Sequence, residues 1–387
     1  MSRATPLTGY AGDAPLLGFS VALISIGLVA IASASIEYSD FNFGNPWHHA
    51  ERHALYLLLA LSAAVMAYMI PTDTFNRLSP WLLFIAFALL ILVLMPGIGR
   101  EVNGAQRWLP LVGSLTVQPS EFAKFALLLY TAGYLVRQQD AVRHQWQGLA
   151  KLIFILGIAA LLLLLEPDFG ATVIAVGTVV GMMFLAGARL TYVLALLASV
   201  ALGFLLLVFS APYRLQRLTA YQDPWSDPFG AGFQLVQSLI AFGRGEWFGV
   251  GLGNSIQKLF YLPEAHTDFV FSIWAEETGL FGAIILILLF AGLITRIMQA
   301  GWRAAAGGDG FAAYLCFGVG LMFAGQVFIN MGASTGLLPT KGLTLPFVSY
   351  GGSSLIMNCV LLGIVLRIAQ QLRPEQRADH AVSWRGR

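Results

Sequence analysis

Apolar residues in this chain come in long, nearly unbroken runs, each closed by a short polar or glycine-containing turn. A helix needs about 20 apolar residues to cross a bilayer. Runs of that order predict spans at 14–35, 53–70, 80–95, 120–136, 150–165, 169–187, 190–210, 269–295, 310–331 and 353–369. The ten-residue alternation of a membrane β-barrel is missing. The pattern therefore predicts an all-α, polytopic integral membrane protein with about ten transmembrane helices. It reads as a single membrane domain over 1–387, with one long structured extracytoplasmic loop, about 211–268, and a short cytoplasmic tail, about 370–387. The first run is too long for a signal-peptide core and lacks a cleavage site, so it reads as a retained span.

Composition agrees. Hydrophobic residues make up 57% of the chain and charged residues only 11%, against about 45–50% and about 25% in soluble domains. A soluble enzyme could not hide that much apolar surface. The net charge of +2 gives no reason to expect a nucleic-acid partner. Cys316 and Cys359 both lie in apolar runs and read as free thiols. Most Lys and Arg, including Arg77, Arg137, Arg143, Lys151, Arg189, Arg296 and Arg303, fall on the side of the termini if the spans alternate. Basic loops stay cytoplasmic, which predicts both termini inside. The three long connections, 96–119, 211–268 and 332–352, then face outward. They are rich in aromatic residues and Gly rather than in disorder-promoting residues, so function is expected there.

Ionisable groups at membrane depth mark function by default. Asp268 precedes the eighth span, within Glu264-Ala-His266-Thr-Asp268, and Glu276 and Glu277 follow. The apolar run 280–294 is too short to cross alone, so this span is expected to start near 267 or 268, with Asp268, Ser272 and Glu276 on one face. Asp268 is then either a helix N-cap or a catalytic carboxylate. Glu121 and Lys124 are three residues apart on a helix, a spacing that favours pairing with each other within the bundle. Asp168, after Pro167, fits an N-cap; Glu166, ending an apolar run, has no such ready explanation. Lys341, with the Ser349-Tyr-Gly-Gly-Ser353-Ser354 helix start, could form an anion site or a glycine turn with a serine cap. Arg214, Arg217, Arg244 and Lys258 make the long loop basic, suited to phosphorylated lipid headgroups. His48, His49, His53 and Glu51 read as an interfacial group rather than a metal site.

Five motifs occur in order: Asn103-Gly-Ala-Gln-Arg107-Trp108, Gln118-Pro-Ser-Glu121, Glu166-Pro-Asp-Phe-Gly170, Tyr261-Leu-Pro-Glu-Ala-His-Thr-Asp268-Phe and Ser349-Tyr-Gly-Gly-Ser-Ser354. Together they resemble the SEDS (shape, elongation, division, sporulation) family over about 15–370. The stretches 223–230, 237–258 and 338–346 resemble its division branch more than its elongation branch. The resemblance implies a peptidoglycan glycosyltransferase that polymerises lipid II at the division septum in the inner membrane. It places the family's essential aspartate on Asp268, as general base on the acceptor hydroxyl. Lys341, Arg214 and Arg244 are then expected to meet the substrate pyrophosphate. Glu264, His266 and Glu276 would orient Asp268 or the acceptor, and Ser349, Arg107, Glu121 and Lys124 complete the expected substrate-binding set. A divalent cation, Mg2+ or Mn2+, could accompany the pyrophosphate; no organic cofactor is implied. The expected partners are a class B penicillin-binding protein, an FtsI-type transpeptidase, along with other division-complex membrane proteins and membrane lipids. That partner is placed on the eighth and ninth spans and the long loop, where Gly310, Gly318, Gly320 and Gly325 offer a small-residue face that could equally pack inside the bundle. A lipid II flippase and a non-catalytic scaffold are the alternatives. Transport would call for discontinuous helices in paired halves, which the sequence does not show.

Overall fold

A computed structural model of the chain describes residues 13–102, 105–110, 116–209, 221–339 and 342–372, without the side chains of 102 and 206–208. Three long helices come first: α1 (Ala14–Phe43), α2 (His48–Met69) and α3 (Thr72–Leu94). A small antiparallel sheet follows, in the order β1 (Arg100–Val102), β2 (Ala105–Pro110), β3 (Thr116–Val117). Then come α4 (Pro119–Arg137), α5 (Gln139–His144), α6 (Trp146–Leu165), α7 (Phe169–Leu185), α8 (Leu190–Phe209), α9 (Phe233–Gly245), α10 (Val270–Ala306), α11 (Gly310–Ser334) and α12 (Gly352–Gln371).

Each predicted span overlies one helix; among the described residues α5 and α9 are the additional α-helices. Seven helices, α1, α2, α3, α6, α10, α11 and α12, are long and apolar enough to cross a membrane, while α7 and α8 are shorter apolar helices. The chain is thus a polytopic helical membrane protein. α4 is buried along nearly its whole length and carries two of its three charges, Glu121 and Lys124, inward, with Arg137 exposed at its end. It packs against α3, α7 and α11.

Close helix approach rests on small residues, as expected where lipid removes the hydrophobic drive between helices. α2 and α12 cross so tightly that a Cβ on Gly363 would lie 2.3 Å from the Ala64 carbonyl oxygen. The glycines of α11 resolve the question left open above. Gly318 faces Met182 and Leu128, Gly320 faces Met298, Gly325 faces Ile174 and Gly310 faces Val136. They pack within the chain's own bundle and offer no small-residue face to a partner. Cys316 and Cys359 are free and buried.

Three expectations need correction. The 96–119 connection holds a sheet instead of an irregular loop, because Arg100↔Trp108 and Leu109↔Val117 pair across it. The eighth span starts at Val270, and its N-cap is Phe269, so Asp268 is not a cap. α10 is also broken: Gly279 has φ 69° and ψ −168°. The backbone groups freed there are taken up by the turn after α9. Leu280 and Phe281 donate to the carbonyls of Glu246 and Trp247 at 2.9 and 3.2 Å, and Val250 and Gly251 donate to those of Glu276 and Glu277 at 3.0 and 3.1 Å. Irregular backbone at this depth requires such internal partners.

Candidate active site

The functional side chains gather where the sheet, the starts of α4 and α7, and the segment leading into α10 converge. That last segment is conformationally forced. Glu264 adopts φ 54°, which lets its carbonyl oxygen accept from the N–H groups of Thr267, Asp268 and Phe269 at 3.2, 3.1 and 3.3 Å. A non-glycine residue in this region costs on the order of 1–3 kcal/mol, tolerated where surrounding structure fixes it. The tight turn presents Asp268 just before the helix instead of within it. Asn330, near the C-terminal end of α11, donates to the Asp268 carbonyl at 2.9 Å and also to that of Leu343. One amide thus joins the Asp268 turn to the 342–351 loop. A Cβ on Gly342 would lie 3.2 Å from the Asp268 carboxylate.

The Asp268 carboxylate has no hydrogen-bond partner among the described residues. Burial pushes its pKa up to about 7, and the charges of Glu264 and Asp168 add to the rise, while Arg107 opposes it. A carboxylate poised near neutral pH with a free face is suited to take a proton from an alcohol.

Arg107 and Asp168 stand around it. β2 carries Arg107 over the turn between α6 and α7, where Nε donates to the Glu166 carbonyl at 3.1 Å and Nη2 to the Pro167 carbonyl at 2.6 Å. Asp168 is the expected N-cap, accepting from the Ala171 N–H at 3.0 Å, and it also accepts from Ser120 Oγ at 3.0 Å and Gln118 Nε2 at 3.3 Å. The cap is therefore part of the site's field as well.

The remaining predicted residues fall in distinct places. Glu264 is exposed and accepts from Thr267 Oγ1 at 2.8 Å. His266 is buried among Tyr38, His49 and Tyr350, with ring centroids 5.2, 5.1 and 5.7 Å away, and its carbonyl accepts from the Tyr350 N–H at 3.0 Å. Burial holds its pKa down to about 4, so the ring is neutral. Ser349 Oγ accepts from the Leu345 N–H at 2.8 Å, inside the 342–351 loop. Ser353 and Ser354 bond to Gln118 and Thr344, so the serines at this helix start tie loops together.

Glu121 and Lys124 pair with each other at 2.8 Å on α4, both buried. Glu276 is paired with Arg244 at 2.9 Å and accepts from the N–H groups of Ile256 and Gln257 at 3.1 and 3.3 Å. It staples the long loop to α10, while Asp268 lies before the helix begins. Arg244 is thereby engaged, although it keeps a third of its side-chain surface. The next residue, Glu277, pairs with buried Lys258 at 2.9 Å and accepts from Ser33 Oγ at 2.6 Å. Lys341 and Arg214 lie outside the described residues. Among those described, no three His, Cys, Asp or Glu side chains gather as a metal site.

Sequence reasoning missed Asn330, whose signal is an amide in an apolar run, four residues after Gln326, and the dual role of Asp168. It also missed Gln118 as a partner of Asp168.

A bundle of membrane helices with a raised-pKa carboxylate, an arginine and a capped aspartate under a loop layer defines an integral membrane protein with an acid–base site at one end. Sequence comparison then identifies it: the family profile of FtsW, RodA and SpoVE, described as "Cell cycle protein", matches residues 15–374, and the chain belongs to this family. It is 51% identical over 376 residues to the "Probable peptidoglycan glycosyltransferase FtsW" of Hahella chejuensis, covering 97% of this chain and 94% of that one. The protein of that name from Pseudomonas fluorescens is 51% identical over 362 residues, covering 93% and 88%. A chain from a structure described as "Structural coordination of polymerization and crosslinking by a peptidoglycan synthase complex" superposes with a TM-score of 0.77 at 31% identity, covering 95% of this chain and 100% of that one. The rod shape determining protein RodA of Thermus thermophilus superposes with a TM-score of 0.66 at 28% identity, covering 94% and 98%.

Proposed function

We propose that this chain is a peptidoglycan glycosyltransferase that joins lipid II units into glycan strands at the division septum, with Asp268 as the general base. The observation that carries the reading is the Asp268 carboxylate, unbonded among the described residues, raised to about 7 and within the field of Arg107. The acceptor hydroxyl is a poor nucleophile at neutral pH. Asp268 takes its proton as its oxygen bonds to the donor's anomeric carbon, and the bond from that carbon to the pyrophosphate oxygen breaks. Such positioned proton removal contributes about 10²–10⁴-fold. Attack opposite the leaving group inverts the anomeric centre.

The leaving pyrophosphate needs positive charge. Arg107 is the described cation nearest in field to Asp268, and Lys341, Arg214 and the exposed part of Arg244 are assigned the same role. A divalent cation, Mg2+ or Mn2+, would come with the pyrophosphate, and no step is routed through it. Glu264 tunes Asp268 through its charge. His266 and Ser349 hold the loops around it, and Glu121, Lys124 and Glu276 fix the framework. Both termini are assigned to the cytoplasm and the site to the outer face, on the distribution of basic residues.

The partner is assigned as a membrane-anchored class B penicillin-binding protein. An apolar cleft of about 640 Å³ opens between α10 and α11 below α9, lined by Phe242, Phe271, Ile287, Phe290, Val327 and Phe328 among others. It suits a partner's transmembrane helix. Purified protein, given lipid II and its transpeptidase, is expected to produce glycan polymer. Asp268→Asn is expected to remain folded and partner-bound with at least about 100-fold less polymer. Lipid II translocation without polymer would support the flippase reading instead.

A further inference from the structure

Glu166 stands out among the buried ionisable groups. It is 0% exposed, and neither carboxyl oxygen meets a hydrogen-bond donor among the described residues. The other buried acids among the described residues are bonded: Glu121 to Lys124, Asp168 to Gln118, Ser120 and the Ala171 N–H, Glu276 to Arg244 and the Ile256 and Gln257 N–H groups, Glu277 to Lys258 and Ser33. An isolated buried carboxylate carries a desolvation cost of several kcal/mol, whereas a neutral acid carries far less.

The cation beside it makes the arrangement informative. Arg107 reaches the Glu166 residue, yet bonds its backbone carbonyl and that of Pro167, leaving the carboxyl alone. The Arg107 charge is felt at the Glu166 carboxyl, and an ionised carboxylate on the residue a guanidinium already bonds would be expected to turn and pair with it. We propose that Glu166 is a positioning residue: a neutral carboxylic acid that seats the 166–168 turn beneath Arg107 without pairing with it, and so leaves the guanidinium charge to a diphosphate. This rests on the glycosyltransferase reading above.

The surroundings support the neutral form. Burial, with the neighbouring charge of Asp168, pushes the Glu166 pKa up to about 8, and Arg107 pulls against this. From α4, the groups facing this turn are Gln118 and Ser120, both donated to Asp168, while Lys124 is taken by Glu121. The donors to Asp168 leave none for Glu166, whose carboxyl is pushed toward its protonated form by burial and by the charge of Asp168. From β2 only Arg107 faces it, and α3 places its ionisable groups, Asp73 and Arg77, in its first two turns at the opposite end. Asp268 lies across Arg107 and Asp168, sharing the field of both.

The consequence is an alkaline limit on substrate binding. Above about pH 8 Glu166 loses its proton, its carboxylate competes for Arg107, and the diphosphate loses a partner. Glu166→Gln keeps the shape and the neutral state at every pH. The test uses purified full-length protein in detergent, with lipid II bearing a shortened prenyl chain as the probe. Wild type is expected to bind at least about tenfold more weakly near pH 9 than near pH 7, and Glu166→Gln to bind equally at both, matching wild type near pH 7. Infrared difference spectra of the two proteins are expected to show the carbonyl stretch of a protonated carboxylic acid at neutral pH, lost as pH passes about 8. An ionised Glu166 at neutral pH, or the same alkaline weakening in Glu166→Gln, overturns the proposal. The infrared band needs no turnover, so failure of this inference is distinct from failure of the glycosyltransferase reading, which would appear as an active Asp268→Asn.

Discussion

Arg107 bonds the Glu166 and Pro167 carbonyls and, in the proposed reaction, also meets the pyrophosphate; its substitutions should separate the two. Lysine keeps the charge but not the fork that spans the Glu166 and Pro167 carbonyls. Arg107→Lys is expected to raise the KM for lipid II by about 10–100-fold, the worth of one or two charge-assisted hydrogen bonds, with a smaller change in kcat. Steady-state polymerisation kinetics measure this. His266 offers a second expectation. Its folded pKa near 4 lies below the unfolded value of 6.5, so the unfolded chain binds more protons between those values. The stability contributed by the neutral ring is complete above about pH 6.5 and is lost as pH falls toward about 4. The thermal midpoint in detergent should drop across that window, and His266→Gln should flatten the drop. At this scale much of the site was legible. Asp268 and Glu166 stood out as charges beside apolar runs, because the membrane leaves few places for them, whereas Arg107 entered only through the motif shared with the family. What each one bonds to was not legible, since Arg107 meets a turn 59 residues away and Asn330 a carbonyl 62 residues away.

The break in α10 is the element on which the loop layer depends. A Cβ on Gly279 would lie 2.4 Å from the Gly249 nitrogen and 2.5 Å from the Trp247 carbonyl carbon, at a φ that L residues rarely adopt. Gly279→Ala is expected to unseat the 246–251 turn and lower both thermal stability and polymerisation, read by unfolding in detergent and by the lipid II assay. Its neighbour Glu277 forms a buried pair with Lys258. Glu277→Ala leaves that ammonium uncompensated and is expected to cost about 3–5 kcal/mol, whereas the double change Glu277→Ala with Lys258→Met should recover part of it. A double-mutant cycle decides. The helices themselves were legible because lipid demands long apolar runs. The break was not, because glycine in an apolar run reads as continuous helix and the groups that replace its hydrogen bonds come from a turn 30 residues earlier. The sheet was missed for a related reason, since strands of two, three and six residues carry too little pattern to register.

At the scale of the whole molecule, the bundle holds its two ends differently. At one end Asp13, at the start of α1, is bound by Arg296 and by Arg303 at 2.7 Å, which locks α1 onto α10. At the other, the loop layer is stapled to α10 through Glu276 and Glu277, on the same helix that Asp268 leads into. A partner helix seated in the cleft between α10 and α11 would touch the segment that carries these staples. Photocrosslinkers at Ile287 and Phe328 are expected to capture the transpeptidase's transmembrane helix, and capture only from α2 to α4 would reject the cleft. The central claim, that Asp268 is the base, is tested most directly by the pH–rate profile of single-turnover glycan polymerisation, with wild type and Asp268→Asn side by side. Wild type should gain about tenfold in rate per pH unit on the acid side and level off near pH 7, where Asp268 ionises. Asp268→Asn should be slower by at least about 100-fold and lack that limb. A near-normal rate in Asp268→Asn, or the same acid limb without the carboxylate, would contradict the account.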